Sequence, residues 1–376
     1  EKPEHALDAD TLAEFHRLSE EARLAESHAA DWPAAMGVTD GKVHPQLAIH
    51  IRGNHRQLGE QVERGFPEVL RFEGATIFPR HESGRLQMAR WIAHPSNPLT
   101  ARVWVNRVWG WHFGEGLVPS TENFGKLGSL PSHPELLDWL TRYFIESGWS
   151  TKNLHRLLMR SQVYRMDSAP DGEEPESMAA ADPENRLLRR FRLRRLEAEE
   201  IRDSILVSAG ILEMTMGGKS VPLRNRQFVF DHTSIDHTRY DSYRRSIFLP
   251  VIRNHLYTLF EQFNFPDPTM PTGARAVTTV APQSLLFMND PMVLEAADRA
   301  ADRLMVQSLD KTQRIDLAYQ AILSRLPSDT ERAHAAALID AVLAPSTGTT
   351  DPGSQRQAWS LLCQGLMASN EFIYVR

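Results

Sequence analysis

Apolar residues recur at helical spacing along most of this chain, and helix start signals fall where that periodicity begins. Leu12, Phe15, Leu18 and Leu24 predict a helix over 8–28. Asn97-Pro98, Asp182-Pro183 and Asp290-Pro291 each set a capping residue before a proline suited to a first helical turn. Ser132-His-Pro-Glu135 and Ser328-Asp-Thr-Glu331 have the spacing of capping boxes. Helices are therefore predicted near 86–94, 98–112, 133–147, 151–164, 195–210, 282–306, 311–325, 329–343 and 355–371. Alternation appears at Leu47–Ile51, a strand running into the turn Arg52-Gly53-Asn54, and β-prone residues recur at Tyr243–Ile252. The expected fold class is mainly α: an irregular multi-helix domain with a small β element near 46–51 and 243–252, in which these two segments pair.

Segments without periodicity divide the chain. Residues 1–85 read as an N-terminal helix plus strand that packs on a helical body spanning 86–376. Residues 167–182 (DSAPDGEEPESMAAAD) read as an exposed linker, and 264–281, with three prolines, as a long ordered loop.

Composition narrows the function classes. With 41% hydrophobic and 24% charged residues the chain is globular, and no apolar run approaches the ~18 residues that span a bilayer. A net charge of −6 argues against nucleic acid as a partner. The single cysteine, Cys363, excludes an intrachain disulfide and a CxxCH haem attachment, so no cofactor is expected in this chain. Of 42 basic residues 36 are arginine. Genome composition accounts for such a bias; so does a need for forked pairing with carboxylates, sulfates or phosphates.

Familiar catalytic signatures are missing: there is no HExxH, GxSxG or GxGxxG. Gly217-Gly218-Lys219-Ser220 imitates a P-loop, but Glu213 stands where the motif needs glycine. Cys363 sits in an apolar helical segment, the setting of an inert thiol. Asp231, His232, Asp236 and His237 offer mixed oxygen and nitrogen ligands for a metal, or form a polar surface loop. Six arginines within 186–195 read as a polyanion site, or as a face paired with Glu197, Glu199, Glu200 and Asp203.

The densest constellation is ARVWVNRVWGWHFGEG at 101–116. On a helix, Arg102 and Asn106 share a face while Trp104, Val108 and Trp111 share another. One reading is a core helix whose arginines are tied to acids; the other is the wall of a polar pocket. The pocket reading gathers Arg102, Asn106 and His112 with Arg52 and Asn54 from the strand-end turn, and Arg275 and Asn289 from the proline-rich region. Such a site takes an anionic or hydroxylated, glycan-like ligand. In the opposing reading Asp267, Asp290 and Glu115 neutralise these arginines. His112 and His133 are the candidate catalytic acid/base residues.

NPLTARVWVNRVWGWHFGEGLVPSTENFG (97–125) and PSHPELLDWLTRYFIESGWSTKNLHRLLMRSQVYR (131–165) carry a resemblance. Together with RRSIFLPVIRN, FNFPDPTMP, APQSLLFMNDPMVLEAADRAADRL and ASNEFIYVR, they resemble a domain of unknown function common in planctomycetes, often called the first planctomycete-specific domain. The resemblance runs over about residues 30–376. It implies an exported protein, at the periplasm or cell surface, whose full-length relatives carry an upstream cytochrome C domain with haem C. This chain then corresponds to the C-terminal portion of such a protein. The resemblance carries no established activity and no catalytic residues. Its usual company implies work near electron transfer or polysaccharide breakdown, with the cytochrome domain and polysaccharide as partners. Three functions follow as expectations: a non-catalytic recognition or scaffold module of an exported, cytochrome-linked protein; a hydrolase or lyase acting on a glycan or other anionic substrate; and a haem- or metal-dependent oxidoreductase.

Overall fold

Apolar residues repeating every third or fourth position give each helix one face to bury, and in this chain those faces collect into two cores. The computed structural model describes residues 8–28, 37–44, 46–72, 78–168, 176–218, 242–251, 256–344 and 351–375. The chain divides into two compact units, Glu1–Thr39 with Gly218–Thr238, and Asp40–Gly217 with Arg239–Arg376. The first unit contains helix α1 (Ala9–His28), whose surface carries Glu–Arg pairs at helical spacing, among them Arg17–Glu14 at 2.6 Å.

The second unit opens on a hairpin of β1 (Gln46–His50) and β2 (Leu58–Glu63), antiparallel with Leu47 opposite Val62 and His50 opposite Leu58. The partner of β1 is therefore β2, not the 243–252 segment. Among its described residues that segment makes a single bridge, Arg244 with Glu213, followed by a 3₁₀ turn at Ser246–Phe248. Its backbone is already taken: Arg202 donates to the Arg244 carbonyl at 2.9 Å, and Asp203 accepts from the Ser246 N–H at 2.8 Å. A backbone satisfied by side chains does not seek a strand.

Helices α2 (Arg85–Ile92), α3 (Thr100–Phe113), α4 (Pro134–Glu146) and α5 (Thr151–Arg160) follow. Asn97 caps the start of α3, its Oδ1 accepting from the N–H groups of Leu99 (3.0 Å) and Thr100 (3.2 Å). At 132–135 no capping box forms; α4 starts on Pro134, and Ser132 bonds the Leu117 carbonyl instead. Asp182 likewise caps a turn and no helix, accepting from Arg186 N–H (2.8 Å) and Leu187 N–H (2.9 Å). It is buried, and α6 (Glu176–Ala181) precedes it, so the described part of 167–182 is structured. Val105, Val108, Leu140, Phe144, Leu154 and Leu158 form the first core.

The second core joins α7 (Ala198–Ala209), α8 (Thr258–Gln262), α9 (Ala281–Asn289), α10 (Pro291–Gln307), α11 (Lys311–Leu323), α12 (Asp329–Leu343), α13 (Pro352–Met367) and α14 (Asn370–Ile373). Ala296, Ala297, Ala300 and Ala301 line the buried face of α10, and their small side chains admit close helix packing. The single helix predicted over 282–306 is two helices. Asp290 is extended (ψ 127°) because a residue before proline avoids the helical region; it closes α9 through its N–H and caps α10 through its carboxylate. The capping box at Ser328–Glu331 forms as the spacing predicts.

A short ladder ties the cores together. β3 (Arg194–Arg195) pairs antiparallel with β4 (Tyr374–Val375). Strand alternation sends Tyr374 to the second core and Val375 to the first. The seam between the cores thus passes beside Arg194 and Arg195.

Candidate functional site

At that seam the second half of α3 faces two loops. Helix α3 ends at Gly114, which takes the left-handed conformation (φ 84°) and returns its N–H to the Gly110 carbonyl. The chain then doubles back along its own helix. Asn106, fully buried, holds it there: its Nδ2 donates to the Val118 carbonyl (2.9 Å), and its Oδ1 accepts from the Val118 N–H (2.8 Å). Gly116 passes so close that a Cβ would stand 2.6 Å from Asn106 Nδ2.

From the other side comes the proline-rich loop after α8. Its hub is Asn264, a left-handed residue (φ 61°) whose Oδ1 accepts from Arg195 Nη2 (2.8 Å), Thr278 N–H (3.2 Å) and Thr278 Oγ1 (3.0 Å). Arg195 is 6% exposed and binds backbone carbonyls, those of Thr278 and Phe263, and it makes no ion pair with a carboxylate among the described residues. Burial pushes its guanidinium below the usual arginine range. Its guanidinium carbon also lies 5.6 Å over the Phe263 ring, and its Nε is buried without a partner.

Between these walls opens a cavity of about 370 Å³. Arg107, Arg194, Arg195 and Arg275 line it with Glu115 and Glu197, and Trp111, 48% exposed, stands at its edge. Arg275 grips Glu199 with both nitrogens (2.5 and 2.8 Å) and reaches Glu197 at 3.2 Å. Arg194 pairs with Glu200 at 3.2 Å, and Glu115 pairs with Arg192 at 2.6 Å. Arg107 makes no ion pair among the described residues, and its Nε is buried without a partner. Among the described residues the lining thus keeps two cations, Arg107 and Arg195, that no carboxylate neutralises. Burial pushes the Glu197 carboxyl above its usual range, against the pull of Arg275, with Glu200 and Glu199 adding to the rise.

Of the residues expected to converge, Asn106 and Arg275 meet in this cavity. The others do not line it. Arg102 donates to Asp138 (2.7 Å) and to the Pro98 carbonyl (2.8 Å). His112 faces His155, Nε2 to Nδ1 at 2.7 Å, and packs against Tyr164. His133 meets Ser132 Oγ at 3.0 Å. Arg52 and Asn54 stay in the exposed hairpin turn, where Asn54 Oδ1 accepts from the Arg56 N–H. Asn289 returns its amide to the Leu285 carbonyl on α9. Nor do the acids expected to neutralise the arginines do so as a set: Asp267 and Asp290 accept from local groups, Thr269 and Met292, and Glu115 serves Arg192.

Arg107, Trp111, Arg195 and Glu197 complete the site without having been chosen for it. Their signals are in the sequence: Arg107 and Trp111 in the aromatic helix, Arg195 in the arginine-rich run and Glu197 just after it. Asp231, His232, Asp236 and His237 lie outside the described residues. Among the described residues no three His, Cys, Asp or Glu side chains are grouped to hold a metal ion, and no helix is long and apolar enough to cross a membrane. Cys363 is buried in the second core, and burial pushes its thiol up to about 12.

A family model described as PSD1, protein of unknown function (DUF1553), matches residues 84–339. No curated protein and no solved structure matches the chain.

Proposed function

The chain belongs to the PSD1 family of proteins of unknown function, and we propose that its seam cavity is a recognition site for an anionic, hydroxylated ligand of the glycan class. The observation that carries this reading is a pair of cations without carboxylate partners among the described residues, Arg107 and Arg195, in a cavity edged by Trp111. Forked guanidinium groups suit carboxylate or sulfate, and an exposed indole offers a flat apolar face to a sugar ring. Arg275 and Glu197 supply further donors and acceptors for hydroxyls. Within the proposal the chain is the recognition part of an exported protein that works beside a haem-carrying domain; that setting is supported by the sequence resemblance alone.

Calorimetric titration with a heparin-derived tetrasaccharide, an oligogalacturonate and neutral cellotetraose tests it. The acidic oligomers are expected to bind and cellotetraose to bind at least roughly tenfold more weakly, with W111A and R107M each costing the acidic ligands a similar factor. Equal binding of the neutral oligomer, or binding of none of them, overturns the proposal.

One observation favours a catalytic reading as the alternative. Glu197, half-buried with its proton held above the usual range, is suited to donate that proton to a leaving oxygen. In that reading Glu197 replaces His112 and His133 as the acid, and the reaction is hydrolysis or elimination on the same anionic glycan. Oligomer cleavage by the wild type and its loss in E197Q, with binding retained, distinguishes catalysis from recognition.

A further inference from the structure

We propose that a second site, separate from the arginine cavity, binds a flat aromatic carboxylate in the tryptophan-lined cleft between α2, α3 and the start of α5. The cleft has a volume of about 650 Å³, inside the range of small-molecule sites. Trp91, Trp104, Trp149 and Phe144 wall it, and Arg107 is part of its lining.

Two buried donors in this lining have no partner: Trp91 Nε1 and Arg107 Nε. Arg107 also makes no ion pair among the described residues, so the lining carries a positive charge open to an incoming anion. Two further polar side chains of the lining are committed. Trp104 Nε1 donates to Thr151 Oγ1 (3.2 Å), which fixes the ring. Asn97 Oδ1 caps α3, and its Nδ2 donates to the Trp91 carbonyl (3.1 Å). Trp149 is held at φ 59°, a left-handed conformation that bulky residues resist, next to Gly148 at φ 72°. Strain of that kind is kept where the position of a side chain matters.

The chemistry of the lining selects the ligand. It offers ring faces and donors but few free acceptors, so a polyhydroxylated sugar leaves its own hydroxyl protons unpaired here. Its charge is a lone guanidinium, which repels cations and favours an anion. A planar apolar ring bearing a carboxylate matches both: the ring fills the space among the indoles and the carboxylate meets Arg107.

This inference concerns a different space from the glycan reading, and the two share Arg107, so E197Q is the variant that tells them apart. The test is calorimetric titration with 4-hydroxycinnamate and with its methyl ester. The acid is expected to bind, and the ester to bind roughly tenfold or more weakly. R107M, which keeps the apolar stem, and W149G, where glycine accepts the left-handed backbone, are each expected to weaken the acid by a similar factor while circular dichroism stays that of wild type. E197Q, altered in the arginine cavity only, is expected to bind the acid as wild type. No binding at millimolar acid, equal binding of acid and ester, wild-type affinity in R107M, or lost affinity in E197Q each overturns the cleft site. The last outcome would also move the aromatic acid into the arginine cavity, whose own acidic-oligosaccharide titration is read separately.

Discussion

Trp104 and Trp111 stand two turns apart on α3 and meet edge to face, with ring centroids 5.7 Å apart and planes at 90°. Trp104 lines the tryptophan cleft and Trp111 the arginine cavity, so a single helix carries one wall of each. Because an aromatic edge meeting an aromatic face gains quadrupolar attraction beyond area burial, a double-mutant cycle of W104L and W111L in chemical denaturation is expected to show coupling of about 0.5 kcal/mol or more. Additive losses would mean that the two rings are neighbours without energetic contact.

Asn106 secures the loop that closes the arginine cavity. Leucine in its place keeps the volume but orphans both polar groups of Val118, each fully dependent on that side chain in a buried setting. N106L is expected to destabilise by about 2–4 kcal/mol, the cost of two unsatisfied buried groups. Gly116→Ala should lower stability through a different route, since its new Cβ collides with the same amide. Equilibrium urea unfolding measures both, and wild-type stability in N106L would refute the clamp.

The hairpin turn combines Arg52 at φ 54° with Gly53 at φ 77°, so two successive residues lie in the left-handed region. Glycine occupies it freely, whereas a β-branched residue does not. Gly53→Val is expected to cost about 1–3 kcal/mol. Both strands of this hairpin are exposed, so the cost falls on local opening more than on global unfolding. Hydrogen exchange should accelerate at the N–H groups of Ile51 and Gln57, which bond across the turn, while amides in the α10 core keep their rates.

Most helices were legible because their signals are local. Periodicity, prolines and caps act within a few residues of one another, as at Ser328–Glu331. Legibility failed where a side chain far along the chain claims a backbone. Nothing near Tyr243–Ile252 reveals that Arg202 and Asp203 will take its polar groups. The turn at Arg52–Asn54 was readable, yet the partner of β1 was sought too far away. The site divides similarly. Asn106 of the aromatic helix and Arg275 of the proline-rich loop line one cavity. Arg102 was misplaced because a helix face can be read from spacing, whereas the partner it faces, Asp138, is a tertiary matter. The arginine excess has a structural use visible only in three dimensions. Arg64, Arg195, Arg202 and Arg314 all spend their guanidinium groups on backbone carbonyls of loops.

His112 gives the chain a pH dependence whose sign can be worked out. Its Nε2 lies 2.7 Å from His155 Nδ1, so one ring must present a bare nitrogen to the other's N–H. Burial, His155 and then Arg194 all push its pKa below the ordinary value of 6.5. The folded protein therefore favours neutral His112, while the unfolded chain takes up its proton near 6.5. Between that value and the lower folded one, the unfolded state binds more protons, so stability falls as pH drops through this window and levels off below it. A second loss begins lower still. Glu331, held at about 2 by hydrogen bonds from Arg325 and the Ser328 N–H, contributes stability above its unfolded value of 4.5 that disappears as pH falls toward 2. Thermal unfolding followed from pH 8 to pH 3 is expected to show both declines. H112Q should flatten the upper one and leave the lower intact, and an unchanged upper decline in H112Q would show that another group titrates there.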